Sequence, residues 1–270
     1  MAKTNCNWFQ TSPTRENIAL KIFCFPYAGG SALVFKKWAD LLPATVQVVS
    51  VELPGRGARM QEPPFVSLPD LVDNLGEVIR PLLDKPFAFF GHSMGAIIAF
   101  ELARTLRRKY GAEPQTLFVA GRRAPQIPNG EPVTYNLPKD EFTKELIELD
   151  GTPKEVLEHE ELMEMIIPLL RADFQLIQTY QYHVENTLRC PIIAYGGLQD
   201  SHVTREMLMP WKELTSSRFS LHMLPGDHFF LRSSHVQLLG MIARELHEAI
   251  TRSKSNQVTL GHAAVQYRER

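Results

Sequence analysis

Ser93 stands in Gly91-His92-Ser93-Met94-Gly95, directly after the apolar run Phe87-Ala88-Phe89-Phe90 and directly before a helical stretch from Ala96 to Arg108. A serine hydroxyl is a weak nucleophile at neutral pH, so a serine used for attack must be exposed and supplied with a base. Strand, tight turn and helix in that order expose it. The reversal pushes the serine toward strained backbone angles, and the two glycines remove side chains that would collide across the turn. Such a string arises by chance in about one chain of this length in ten. Its setting is what marks Ser93 as a candidate nucleophile at a helix N-terminus.

The base needs an acid that fixes its tautomer and stabilises the imidazolium, and for this elbow the chain order is Ser, then Asp or Glu, then His. Of nine histidines, His228 has the right placement: Pro225-Gly226-Asp227-His228 follows a predicted strand and precedes the final helix. His202 is its competitor, while His92 sits inside the elbow and is expected to pack or hydrogen-bond there. Asp200 ends Tyr195-Gly196-Gly197-Leu198-Gln199-Asp200, also just past a strand and between Ser93 and His228 in order. Asp227 adjoins the base and reads as a cap, and Asp173 belongs to an insertion. An oxyanion formed at the substrate needs two backbone N–H groups. Met94, after the nucleophile, supplies one, and Ala28 in Phe25-Pro26-Tyr27-Ala28-Gly29-Gly30-Ser31 is the choice for the other.

These residues require a scaffold that ends several strands on one side. Short apolar runs at Ile18 to Phe25, Val46 to Val51, Phe87 to Phe90, Thr116 to Ala120, Pro191 to Tyr195 and Phe219 to Leu224 read as strands. Helical patterns at Leu33 to Leu42, Leu68 to Leu83 and Ala96 to Arg108 alternate with them, which predicts a doubly wound α/β fold with a mainly parallel sheet and helices on both faces. About 70 residues separate the strand ending near Ala120 from the one starting near Pro191, more than a crossover needs. We read residues 122–189 as an inserted helical lid, with Phe142, Leu146 and Leu149 on one helix and an apolar stripe from Glu160 to Tyr182 that Pro168 should kink or divide. An insertion leaving the carboxyl end of a strand can cover the mouth above Ser93, and an apolar one suits an acyl chain. Arg122 and Arg123 leave that same strand end, where surface solvation or a lid-anchoring salt bridge is the leading reading and contact with a ligand phosphate or an acidic partner the alternative. The Arg104, Arg107, Arg108, Lys109 cluster ends the elbow helix and complements its dipole.

With 29 basic and 30 acidic residues in 270, no overall field draws the chain to nucleic acid or an anionic membrane. No run approaches the 18 apolar residues of a membrane span, and Met1 to Asn7 lack the apolar core of a secretory signal. Cys6, Cys24 and Cys190 are odd in number and lack metal-type spacing, so buried thiols and a cytoplasmic setting are expected. One domain over residues 1–252 follows, acting as a monomer, with a mobile polar tail over 253–270.

Together these segments resemble the type II thioesterases of polyketide and nonribosomal peptide synthesis, members of the α/β-hydrolase superfamily. The resemblance spans about residues 20 to 250. It is carried by Phe25 to Gly30, Trp38, Leu53-Pro54-Gly55-Arg56-Gly57, the Ser93 pentapeptide, Gly121-Arg122-Arg123-Ala124-Pro125, Pro168-Leu169-Leu170-Arg171-Ala172-Asp173, Cys190-Pro191-Ile192 and Gly226-Asp227-His228-Phe229-Phe230. It implies an α/β-hydrolase fold with Ser93, Asp200 and His228 as catalytic triad and Ala28 and Met94 as oxyanion amides. It further implies hydrolysis of acyl groups from the phosphopantetheine arm of acyl or peptidyl carrier proteins, editing misprimed or stalled synthases, with no metal or cofactor of the enzyme's own. The alternatives are a medium-chain fatty acyl-carrier thioesterase, a general carboxylesterase, or a catalytically idle carrier-binding protein.

Overall fold

A computed structural model of the chain describes residues 6–13, 16–128, 130, 132–149, 151–152 and 154–268, with side chains for all of these but 6, 154 and 254–268. Its strands are β1 (Phe9–Thr11), β2 (Leu20–Phe25), β3 (Val46–Val51), β4 (Phe87–His92), β5 (Leu117–Ala120), β6 (Ile192–Gly197) and β7 (Phe219–Leu224). They form one sheet in the order β1-β3-β2-β4-β5-β6-β7. β2 to β7 pair in parallel, and β1 alone runs antiparallel, against β3. The six strands expected from apolar runs are all present. β1 was not expected, because three residues are too few for alternation to show.

The period of two along each strand divides the core. Phe23, Phe25, Phe89, Val119 and Ala194 face one side, where α2 (Leu68–Ile79) and α3 (Met94–Tyr110) cover them. Ile22, Cys24, Phe90, Phe118 and Tyr195 face the other, against α1 (Trp38–Leu41) and α9 (His235–Arg268). Each valine, isoleucine or phenylalanine among them, fully buried, contributes about 1.5–3 kcal/mol. Cys24 and Cys190 are both buried free thiols, and burial lifts the Cys190 pKa to about 12. The residues expected as a separate tail from 253 continue the backbone of the last helix as far as Arg268, and their side chains from 254 on lie outside the described residues.

Between β5 and β6 lie α4 (Lys139–Glu148), α5 (Lys154–Leu157) and α6 (Glu160–Gln178). They carry a small core of their own, Phe142, Leu146, Met163, Ile167 and Leu170. Pro168 does not divide α6. It removes one helical hydrogen bond, while apolar contacts before and after it hold the helix to α4. The chain returning from this lid is stapled to α3. Arg104 donates to the His183 carbonyl at 2.5 Å, Arg107 to the Asn186 and Thr187 carbonyls at 2.8 Å each, and Arg108 to Glu185 at 2.7 Å. The cluster read as a dipole complement thus also anchors the insertion. The remaining helices, α7 (Arg205–Leu208) and α8 (Phe230–Ser233), follow β6 and β7. Among the described residues no helix is long and apolar enough to cross a membrane.

Candidate active site

The elbow has the geometry its glycines imply. Ser93 sits at φ 53° and ψ −114°, and its N–H donates to the Ala120 carbonyl at 2.8 Å, fixing the turn to β5. A Cβ on Gly91 would stand 2.1 Å from the Gly95 carbonyl oxygen, and one on Gly95 would stand 2.1 Å from that of Phe25. Neither contact is possible, so both positions require glycine. Ser93 is partly exposed and opens onto a cavity.

Asp200 and His228 arrive on neighbouring loops after β6 and β7. Gln199 joins those loops, its N–H donating to the Gly226 carbonyl at 2.9 Å and its side-chain oxygen accepting from Gly226 N–H at 2.6 Å. Asp200 Oδ2 lies 2.8 Å from His228 Nδ1, and Oδ1 accepts the N–H groups of His202 and Val203 at 2.9 and 3.0 Å. Burial alone would raise the Asp200 pKa; the hydrogen bond from His228, its charge and the two amides outweigh that and hold the carboxylate below its ordinary value. With Nδ1 engaged by Asp200, the other ring nitrogen is left for the cavity that Ser93 also lines. Among the described residues the Ser93 hydroxyl makes no hydrogen bond to His228. Such bonds are often long without substrate and tighten when it binds.

His202 serves the acid through its backbone, and it is the ring of His228 that meets Asp200. Asp227 caps the next turn, accepting Phe229 N–H at 2.7 Å. His92 is fully buried with its ring 5.3 Å from that of His228; burial first, and then His228, push its pKa well below the usual histidine value, so it stays neutral. Beside it Gly121, at φ +59°, leaves no room for a side chain, since a Cβ would lie 2.9 Å from His92 Cε1. Gln199 and Gly121 were not singled out for these roles. Both lay in strings already noted at strand ends, but nothing in those strings pointed to a loop-joining amide or to a contact with His92.

Ala28 lines the cavity. Met94 is the first residue of α3, where an N–H has no acceptor within the helix and the helix dipole favours negative charge. The cavity measures about 310 Å³. Its far wall is the lid, contributed by Leu146, Leu149, Leu170, Phe174 and Ile177. Arg122 and Arg123 line it too, and together with Ile177 they also border a second cavity of about 330 Å³ whose walls include Tyr180, Gln181 and Tyr182.

The family model of the thioesterase domain matches residues 20–246. The chain is similar to the gramicidin S biosynthesis protein GrsT of Aneurinibacillus migulanus, 44% identical over 88% of this chain and 93% of that one. It is also similar to the medium-chain S-acyl fatty acid synthase thioesterase of Rattus norvegicus, 36% identical over 78% of this chain and 81% of that one. Among solved structures it resembles the type II thioesterase BorB from the borrelidin biosynthetic cluster, with a TM-score of 0.81 and 37% identity, covering 88% of this chain and 97% of that one. The fold is thus that of the α/β-hydrolases, and the relatives include type II thioesterases of nonribosomal peptide and polyketide pathways. The chain belongs to the thioesterase domain family, hydrolases that act on thioester bonds.

Proposed function

We propose that this thioesterase removes acyl groups from the phosphopantetheine arm of acyl or peptidyl carrier proteins in a nonribosomal peptide or polyketide pathway, clearing misprimed or stalled carriers. The observation that carries the reading is the Asp200–His228 pair at 2.8 Å, whose His228 lines the same lidded cavity as Ser93. Ser93 Oγ attacks the thioester carbonyl while His228 takes its proton, and Asp200 stabilises the imidazolium. The amides of Met94 and Ala28 hold the tetrahedral oxyanion. The pantetheine sulfur leaves and takes the proton back from His228. An ordinary thiol has a pKa of about 8.5, so it needs less help than an alkoxide or amine. Water, activated by His228, then releases the acid and restores Ser93. The scheme uses no metal or redox cofactor.

The lid supports an acyl ligand because five of its apolar side chains wall the cavity. Arg122 and Arg123, bordering both cavities, suit the phosphate of the arm or an acidic carrier. Mass spectrometry of carrier proteins loaded with a panel of acyl groups, before and after incubation, tests the proposal. Wild-type protein should strip the carriers and Ser93→Ala should not. Equal turnover by both would remove Ser93 from the chemistry. Faster turnover of free oxygen esters than of carrier thioesters would favour a general carboxylesterase, and a selective preference for fatty acyl carriers would favour the fatty-acid reading. A Ser93 that a fluorophosphonate cannot label in folded protein would point to an idle binding protein.

A further inference from the structure

Two strings in the sequence supply no group to the chemical steps of that scheme, Leu53-Pro54-Gly55-Arg56-Gly57 and Pro168-Leu169-Leu170-Arg171-Ala172-Asp173. In the structure they meet. Arg56, on the loop after β3, and Asp173, on the lid helix α6, form a two-pronged ion pair, Nη2 to Oδ1 at 2.7 Å and Nη1 to Oδ2 at 2.9 Å. Their side chains are 4% and 2% exposed. Both then reach one further segment. Asp173 Oδ2 accepts the Gly29 N–H at 2.7 Å, and Arg56 Nη1 donates to the Gly30 carbonyl at 3.1 Å. Gly29 is at φ +74°, and a Cβ there would lie 2.7 Å from Leu170 Cδ2, so α6 rests directly on this backbone.

Gly29 and Gly30 immediately follow Ala28. The Gly29 N–H belongs to the peptide plane joining Ala28 to Gly29, so fixing it fixes the backbone one Cα from the Ala28 amide. A buried ion pair needs its remaining donors and acceptors satisfied whatever its role, and here those bonds go to the loop that follows Ala28. A buried pair of this kind is also weak evidence for stability, because desolvation consumes most of its attraction. What its two-pronged geometry does supply is fixed orientation.

We infer that Arg56 and Asp173 are positioning residues for the oxyanion hole: with α6 seated they lock the Ala28–Gly30 loop, so that the hole is complete only when the lid is down. The inference rests on the reading of Ser93 as an acyl-accepting nucleophile. It links substrate enclosure to transition-state stabilisation through one carboxylate.

The test is steady-state kinetics of Asp173→Ala, Asp173→Asn and Arg56→Lys on an acyl-carrier thioester and on a p-nitrophenyl ester, counted per Ser93 titrated to completion by a fluorophosphonate. Affinity for an acyl trifluoromethyl ketone, which adds to the serine and places an oxyanion in the hole, is measured alongside. Removing one oxyanion donor costs 10²–10³ in kcat, so Asp173→Ala should lose about 10²-fold in kcat with KM held within about threefold. Ketone affinity should fall in parallel, and Arg56→Lys, which keeps the charge and leaves Asp173 on Gly29, should lose less. If Asp173→Ala folds poorly, Asp173→Asn, of equal size, carries the same expectation at smaller amplitude. The inference is overturned if kcat per titrated serine stays within about twofold of wild type, or if kcat falls while ketone affinity does not. Wild-type protein that cleaves the p-nitrophenyl ester but not the carrier thioester would defeat the substrate reading alone, leaving the variant comparison intact.

Discussion

Ser93 holds a backbone conformation that glycine adopts freely and other residues rarely, and strain of this kind is worth about 1–3 kcal/mol. Activity and stability therefore pull apart at this one position. Ser93→Gly should raise the free energy of unfolding by about 1 kcal/mol while abolishing hydrolysis, read by denaturant titration and thioester assay. A variant no more stable than wild type would show that the turn imposes no strain. That Ser93 and His228 would meet at one cavity, with Asp200 on the His228 ring, was legible in sequence because each lies at a strand's carboxyl end, a local signal. The Arg56–Asp173 pair was not, although both strings were noticed. Its partners are 117 positions apart, and nothing local says that two charges will be buried against each other.

Among the elements, the strands and long helices followed from period and punctuation, whereas β1 escaped through brevity. Pro168 leaves α6 undivided because packing on α4 outweighs one lost hydrogen bond. The lid's small core shows how its helices divide their labour: Phe142 is buried within it, while Phe174, 5.5 Å away ring to ring, turns partly toward the cavity. Phe174→Ala should enlarge the acyl wall without touching Ser93, Asp200 or His228. Its kcat/KM ratio for octanoyl over acetyl carrier should rise about fourfold for each added methylene accommodated. An unchanged chain-length profile would place the acyl group elsewhere.

For the molecule as a whole, the buried neutral His92 ties stability to pH. Its pKa is ordinary, about 6.5, when unfolded and well below that when folded, so below pH ~6.5 the unfolded chain binds a proton that the native protein refuses. Stability should be complete above that value and decline as pH falls toward the depressed one. The melting temperature of wild type should drop between about pH 7.5 and 5, and His92→Gln should show a shallower drop; equal slopes would assign the loss to other groups. The lid insertion leaves and rejoins the sheet between two adjacent parallel strands, β5 and β6, so it is a cassette in topology. Its orientation is nonetheless tied to the body of the protein, through Asp173 to Arg56 and Glu185 to the arginines of α3 among other contacts. Exchanging lids between relatives is thus a graft whose success depends on carrying both carboxylates across, the first to hold the Gly29–Gly30 backbone and the second for the return path.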